Sequence, residues 1–539
     1  MNISEIQREI VNECKQKKCF GLSIRLGSGK TIISLTAALE TKTDEPILII
    51  ASKTLIPSWI REIKKFYGNT ISYSIINNNY RPNTDLVLCT PDIAGRYFKK
   101  HNLQERFVFQ EEFNPFELQI LAQHNERAMY TLKNVYRLPK QPMIPVSTSE
   151  DTVLFSKSWS TLIVDEAHDY TNIETQSCRA ICCIISKQRY LLSGTLFDEP
   201  SPERILGYYL MINHPSFPVD IPSTINFIRD PLFKGVGRTI ITREIEPVKI
   251  KVIKQFVEHD LSDEEAKIYL SLKETLNIIR KKASMLSREQ KKKFNSYILS
   301  MITILRQSIV VPLIPVANIA LQMSEITDHK SELALILHEQ FKNLDIDYFL
   351  DNPDSLKSTR ITKLLEILKK HKDNKIIIFS CFRTSIDVVV HYLKKETEFE
   401  VYDLKASTTM KKRSQILENF SESINGSILI TTYDIGACGL NLQAANVVIL
   451  MDYWWNSSKS KQAIGRIVRQ GQMNNEVYVY LFSSNTGIEN AIFNKQKDKL
   501  DILEELQDGP ITKKIKKMSI NELLKLIDTS ENSKYLSIY

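Results

Sequence analysis

A chain of 539 residues is too long for one hydrophobic core and implies about two to four domains. Its 43% apolar and 25% charged content is that of a soluble globular protein. Its longest apolar stretch (304–321) is interrupted by Arg306, Gln307, Pro312 and Pro315, which excludes a membrane span. The net charge of +8 is unevenly placed, because Ser271 to Ser300 holds eight Lys/Arg against Glu274 and Glu289 alone.

The N-terminal "MNISEIQREI" has no apolar core of a secretion signal, so no export is expected. Eight cysteines in mostly apolar surroundings suggest reduced thiols in a cytosolic or nuclear protein. The stretch "FGLSI" reads as a strand and "TIISLTAALE" as a helix. Between them "IRLGSGKT" places Gly27, Ser28 and Gly29 before Lys30 and Thr31. Such a loop has the backbone freedom to curl amides around a phosphate at a helix N-terminus. It departs from the G-x-x-x-x-G-K-[ST] pattern, having Ile24 at the first glycine position, so an ordinary glycine turn is the competing reading.

The next apolar runs are "PILIIAS" (46–52), "DLVLCT" (85–90), "STLIVDEAH" (160–168) and "RYLLSGT" (189–195), alternating with helical patterns. Near-continuous apolar strands between helices indicate a parallel sheet covered on both faces. "LIVDEAH" ends its strand with Asp165 and Glu166, and carboxylates at an apolar strand end suggest chemistry. Beside a phosphate loop, Asp165 can hold Mg2+ through water while Thr31 ligates it directly. Glu166 is then placed to orient and deprotonate an attacking water. "CRAICC" lacks paired C-x-x-C spacing and nearby histidines, which argues against zinc at Cys178, Cys182 and Cys183.

From about 255 to 345 the apolar runs give way to helical sequence that includes the basic segment. That segment is either a solvated helix face or a strip contacting phosphates. A second series of strands follows: "KIIIFS" (375–380), "SILITTY" (427–433), "NVVILMDY" (446–453) and "EVYVYLFS" (476–483). Two such series imply two α/β lobes. In "QAIGRIVRQ", Arg466 and Arg469 stand three apart and, on a helix, would project from one face. The tail beyond Asp501 reads as helical.

The order of these motifs resembles the Swi/Snf-type ATPases among the superfamily-two helicase-like proteins, whose phosphate loops lack the early glycine. "IIASKTLIPSWIREIKKF", "LCTPD", "VDEAHDYTNIETQ", "YLLSGTLFDE", "ILRQ" and "LITTYDIGACGLNLQAANVVILMDYWWNSSKSKQAIGRIVRQGQ" carry the likeness. Departures are Tyr170 and Thr171 before Asn172, Leu196 and Glu199 in the third motif, and no glycine before Ser407.

The resemblance implies an α/β fold of two RecA-like lobes with parallel sheets, at 1–254 and 346–500. A helical linker (255–345) would join them and a helical brace (501–539) would follow. It implies ATP and Mg2+, with Lys30 on the β/γ-phosphates and Gln7 on adenine. Arg466 and Arg469 would be arginine fingers, with Gln462 linking the same seam. Nucleic-acid contacts are expected at strand ends, from Ser52, Lys53, Thr90, Ser193, Thr195, Ser407, Thr432 and Asn441. Some of these serve equally as helix caps. Trp59 and Trp455 are expected to pack rather than stack on bases.

The implied activity is an ATP-dependent translocase on double-stranded DNA, free or in nucleoprotein form, that displaces or remodels bound proteins. A monomer in the nucleus or a viral replication compartment is expected, with transcription or chromatin proteins as further partners. The alternatives are a strand-separating DNA or RNA helicase and a non-hydrolysing transcription scaffold. The compact chain resembles the small viral members of the family.

Overall fold

The computed structural model describes the chain apart from residues 1–2, 25–26, 82, 101–152, 198, 214–220, 231–233, 244–249, 286, 325–335, 337–338, 342–347, 349–350, 353, 355–356, 425, 438–441, 470–471, 513–521, 523, 526 and 528–539. The chain forms two compact units, Met1–Pro247 with Asp498–Lys517 and Val248–Lys497 with Met518–Tyr539. In this division the helical segment after residue 255 falls in the second unit, and the C-terminal tail is shared between the two.

The first unit is built on a seven-stranded sheet in the order β3-β4-β2-β5-β6-β1-β7. Its strands are β1 (Cys19–Ser23), β2 (Ile47–Ile50), β3 (Tyr73–Ile75), β4 (Leu86–Cys89), β5 (Trp159–Val164), β6 (Ser186–Ser193) and β7 (Ile240–Ile241). Every pairing is parallel. The apolar runs are continuous because both faces of the sheet are covered. Leu48, Ile50, Val87, Leu162 and Val164 belong to one buried cluster. Their sequence neighbours Ile47, Ile49, Leu86, Leu88 and Ile163 belong to another, as the period of two along a strand requires.

The second unit holds a six-stranded sheet in the order β10-β11-β9-β12-β13-β8. Here β8 is Lys251–His259, β9 Lys375–Ser380, β10 Glu400–Leu404, β11 Ser427–Thr432, β12 Val447–Leu450 and β13 Glu476–Ser484, again all parallel. Long helices at Asp263–Ser284 and Arg288–Val310 pack their Ile268, Leu272, Ile279, Ile298, Met301 and Leu305 into a separate cluster. A capping box at Ser262, closed by Glu265, starts the first of them.

The strands without a strong apolar run in the sequence are β3, β7, β8 and β10, and these are the four edges of the two sheets. An edge strand is covered on fewer sides, so its sequence carries a weaker apolar signal. β8 straddles the expected boundary at 254/255, so a strand runs into a segment (255–345) expected to be helical throughout, and most of its side chains stay partly or fully exposed.

Because all pairings are parallel, the loops that leave the strand C-termini gather along one edge of each sheet. The register makes these ends nearly flush: Ile50 pairs with both Cys89 and Val164, and Ser23 pairs with Ser193.

Candidate active site

The loop after β1 is shaped by two left-handed glycines, Gly27 (φ 83°) and Gly29 (φ 86°). A side chain at Gly29 would be strained by that φ and would also meet Gln7 Nε2 at 2.6 Å. The helix Lys30–Glu40 begins here, so its first amides have no intrahelical partners and face the loop. Ile24, at the position of the missing first glycine, is buried in the sheet's core cluster. Its carbonyl accepts a hydrogen bond from Lys30 Nζ at 3.0 Å. At this position the side chain fills the core and the backbone holds the lysine. Lys30 is itself only 9% exposed, and Thr31 follows it in the first turn of the helix.

Gln7 sits against this loop. Its Nε2 donates to the Ser28 carbonyl at 3.0 Å, and its Oε1 accepts the Ser4 N–H at 3.1 Å in a capping box.

Asp165 follows β5 immediately, and its N–H extends the ladder to the Ile50 carbonyl at 2.9 Å. Its Oδ2 accepts the indole N–H of Trp59 at 2.8 Å, and its Oδ1 accepts the Glu166 N–H at 2.9 Å. Burial, with the Glu166 charge beside it, pushes its carboxyl up to about 6, against the lowering effects of Trp59 and Lys30. Glu166 adopts a left-handed backbone (φ 46°, ψ 47°), unusual for a residue with a side chain. It turns the chain from the strand into the short 3-10 helix Ala167–Tyr170, so the strand stops before the two acids. The Asp165 carboxylate and the Thr31 hydroxyl are hard oxygen donors that would suit a Mg2+ ion. Among the described residues no group of three or more His, Cys, Asp or Glu is placed to hold a metal ion.

His168 joins this strand end to the next. Its Nδ1 lies 2.8 Å from Ser193 Oγ, and Ser193 in turn donates to the Thr195 carbonyl at 2.7 Å and accepts the Thr195 N–H at 3.0 Å. Arg204 Nη1 donates to the His168 carbonyl at 2.7 Å.

This arrangement engages one residue expected to contact nucleic acid. Ser193 is fully buried, and its hydroxyl is committed to His168 and Thr195. Thr90 lies at the end of β4, 9% exposed, and its Oγ1 accepts the Ile93 N–H at 3.3 Å. It is a cap on the helix Pro91–Lys100. Ser52 is half-buried and pairs with Thr54 at 3.0 Å, whereas Lys53 is exposed and Thr195 half-buried. In the second unit Ser407 is exposed in the loop after β10, and Thr432 closes β11 half-buried. Asn441 lies outside the described residues.

The pair Arg466 and Arg469 also differs from expectation. The helix Ser458–Gly465 ends before them, and Arg466 is its C-terminal cap. The chain then tightens, with Ile467 N–H donating to Ile464 and Arg469 N–H to Ile467. The pair is thus carried on a turn after the helix and does not share a helical face. Gln462 and Arg466 are buried, 8% and 9% exposed, and Arg469 is half-buried.

The sequence did not assign Trp59 and His168 their hydrogen bonds to Asp165 and Ser193. Their signal was weak but physical: a buried indole N–H or imidazole must find a partner. Trp455 packs on the helical cluster, as expected.

Residues 21–203 match the SNF2-related domain and residues 359–471 the helicase conserved C-terminal domain. The chain belongs to the Swi/Snf-type ATPases of the superfamily-two helicase-like proteins. It is an ATP-hydrolysing enzyme, and its two parallel-sheet units are the RecA-like lobes of that family. Among its relatives, the protein 172L of Invertebrate iridescent virus 6, named as a helicase, is 24% identical over 90% of this chain and 85% of its own length. CHROMATIN REMODELING 25 of Arabidopsis thaliana is 23% identical over 89% of this chain but 52% of its own. The DNA repair and recombination protein RAD54 of Oryza sativa subsp. japonica is 24% identical over 67% of this chain and 39% of its own. The chain thus spans about half or less of the two plant relatives. The Hef helicase domain of Pyrococcus furiosus shares the fold at a TM-score of 0.50 and 15% identity, over 89% of this chain and 95% of that one.

Proposed function

We propose that this protein couples ATP hydrolysis to movement along double-stranded DNA, displacing or remodelling the proteins bound there. The observation that carries the ATPase half is the meeting of the glycine loop with the Asp165–Glu166 strand end on one sheet edge. Lys30 neutralises β/γ-phosphate charge, and Gln7, already against the loop, borders the adenine side. Thr31 and Asp165 would hold Mg2+, which would supply positive charge beside the phosphates. Glu166 orients the attacking water and takes its proton. Arg466 and Arg469, with Gln462 beside them in the chain, supply positive charge to the transferring phosphoryl group.

Duplex movement rests on family membership and on the relatives named for chromatin remodelling and for DNA repair and recombination. Contacts from Ser52, Lys53, Thr195, Ser407, Thr432 and Asn441 would follow the phosphate backbone, so sequence preference should be weak. A monomer acting in the nucleus or a viral replication compartment, with transcription or chromatin proteins as further partners, fits this reading.

Two measurements test it. ATPase rate should rise most with duplex DNA when compared with no nucleic acid, single strands and RNA. The protein should also displace a triplex-forming third strand with ATP while leaving a forked duplex largely intact. Efficient fork unwinding without triplex displacement would instead identify a strand-separating helicase.

A further inference from the structure

Arg306 lies near the C-terminal end of the helix Arg288–Val310 and is 8% exposed. Its guanidinium stands 4.8 Å from the centre of the Phe382 ring, 5.8 Å from that of Trp454 and 5.6 Å from that of Trp455. All three are within the range of a cation–π contact. From inside this box Nη2 donates to the Tyr453 carbonyl at 2.5 Å.

The carbonyl it holds belongs to the short loop between β12 and the helix Ser458–Gly465, which leads directly into Arg466. The same loop is fixed at other points. Asp452, where it begins, accepts from Ser380 Oγ at 2.5 Å and from the Cys381 N–H at 2.6 Å. The next carbonyl, of Trp454, accepts from Gln496 Nε2 at 2.6 Å. Asn456 Oδ1 then accepts the Ser458 N–H at 2.8 Å, where the helix starts.

A buried arginine is costly unless its charge is met, and the surrounding rings and carbonyl meet it. A planar fork stacked on rings also fixes direction as a flexible ammonium does not. We propose that Arg306 is a positioning residue for phosphoryl transfer: it sets the Tyr453–Ser457 loop, and through it the placement of Gln462 and Arg466. This rests on the arginine-finger reading given above. Arg306 itself touches no reacting atom.

The test compares Arg306→Lys and Arg306→Met with Arg466→Ala, alone and combined, by duplex-stimulated ATPase kinetics and equilibrium ATP binding on the full chain. Arg306→Met keeps bulk in the box if the lysine variant folds poorly, and thermal melting identifies folded samples. We expect kcat to fall at least about tenfold in the Arg306 variants, with ATP affinity within about twofold of the parent. Adding Arg306→Lys to Arg466→Ala should lower kcat by much less than the single Arg306→Lys loss, because both changes act on the same placed charge and only the placement of Gln462 is left to lose. Parental kcat in the folded Arg306 variants, or a combined loss equal to the product of the single losses, overturns the inference and leaves the finger reading standing. Parental kcat in Arg466→Ala overturns the finger reading, and this inference with it.

Discussion

The indole N–H of Trp59 donates to Asp165 Oδ2 at 2.8 Å, tying the helix Ile56–Tyr67 to the strand end that carries both acids. One buried side chain therefore aims another, and Trp59 is both core and site. Trp59→Phe keeps an aromatic ring but removes the donor. It should destabilise the protein by about 1–3 kcal/mol, from the missing hydrogen bond and a small cavity. It should also raise the Mg2+ concentration needed for half-maximal ATPase. Denaturant melts and a Mg2+ titration would check both, and a parental Mg2+ requirement would reduce Trp59 to packing alone.

Activity should depend on pH through Asp165. Its folded carboxyl is raised from 3.8 to about 6, so burial favours the protonated form. The stability that this proton gives is present below 3.8 and is lost as pH rises through about 6. Mg2+ needs the ionised form, so kcat/KM should fall as pH drops below about 6. Raising Mg2+ should move that limb to lower pH, because metal and proton compete for one carboxylate. A limb that ignores Mg2+ would assign it to another group.

Lys30 and Glu166 should fail differently. Lys30→Ala removes phosphate affinity and should weaken ATP binding as well as turnover. Glu166→Gln should keep ATP binding while lowering kcat by on the order of 10²–10⁴-fold, the scale of general-base catalysis. Equilibrium binding of labelled ATP beside single-turnover hydrolysis separates the two. Near-parental hydrolysis in either variant would contradict the assigned site.

Arg469→Ala should lower kcat by roughly 10³-fold with little change in ATP affinity, since the charge it meets develops in the transition state. Weakened ATP binding at an unchanged kcat would remove the finger assignment.

The basic segment offers a salt test. Lys281 and Lys282 are exposed near the end of the helix Asp263–Ser284, and Lys291–Lys293 open the next one. If they contact phosphates, reversing their charges should weaken duplex binding. It should also flatten the slope of log affinity against log salt by about 0.9 for each phosphate no longer neutralised. An unchanged slope would make this stretch a solvated helix face.

The sequence alone determined the interior strands, both lobes and the glycine turn that leads into the helix Lys30–Glu40. A strand buried on both faces must be apolar throughout, and closely spaced glycines before a helix mark a tight turn. Asp165 and Glu166 stood out because two acids end an otherwise apolar strand, and the structure puts both directly after β5. What only the tertiary structure decided was pairing. The edge strands β3, β7, β8 and β10 bury less and so carry little signal, and they become visible through their neighbours. That Ser193 turns inward to His168, that Trp59 reaches Asp165, and that Arg306 is enclosed by three rings depend on residues from 25 to about 150 positions apart. No local pattern encodes such meetings, because a side chain's partner is set by the packing of whole elements. The turn carrying Arg466 and Arg469 shows the same limit at short range: their spacing suits a helix, but the chain leaves the helix at Gly465.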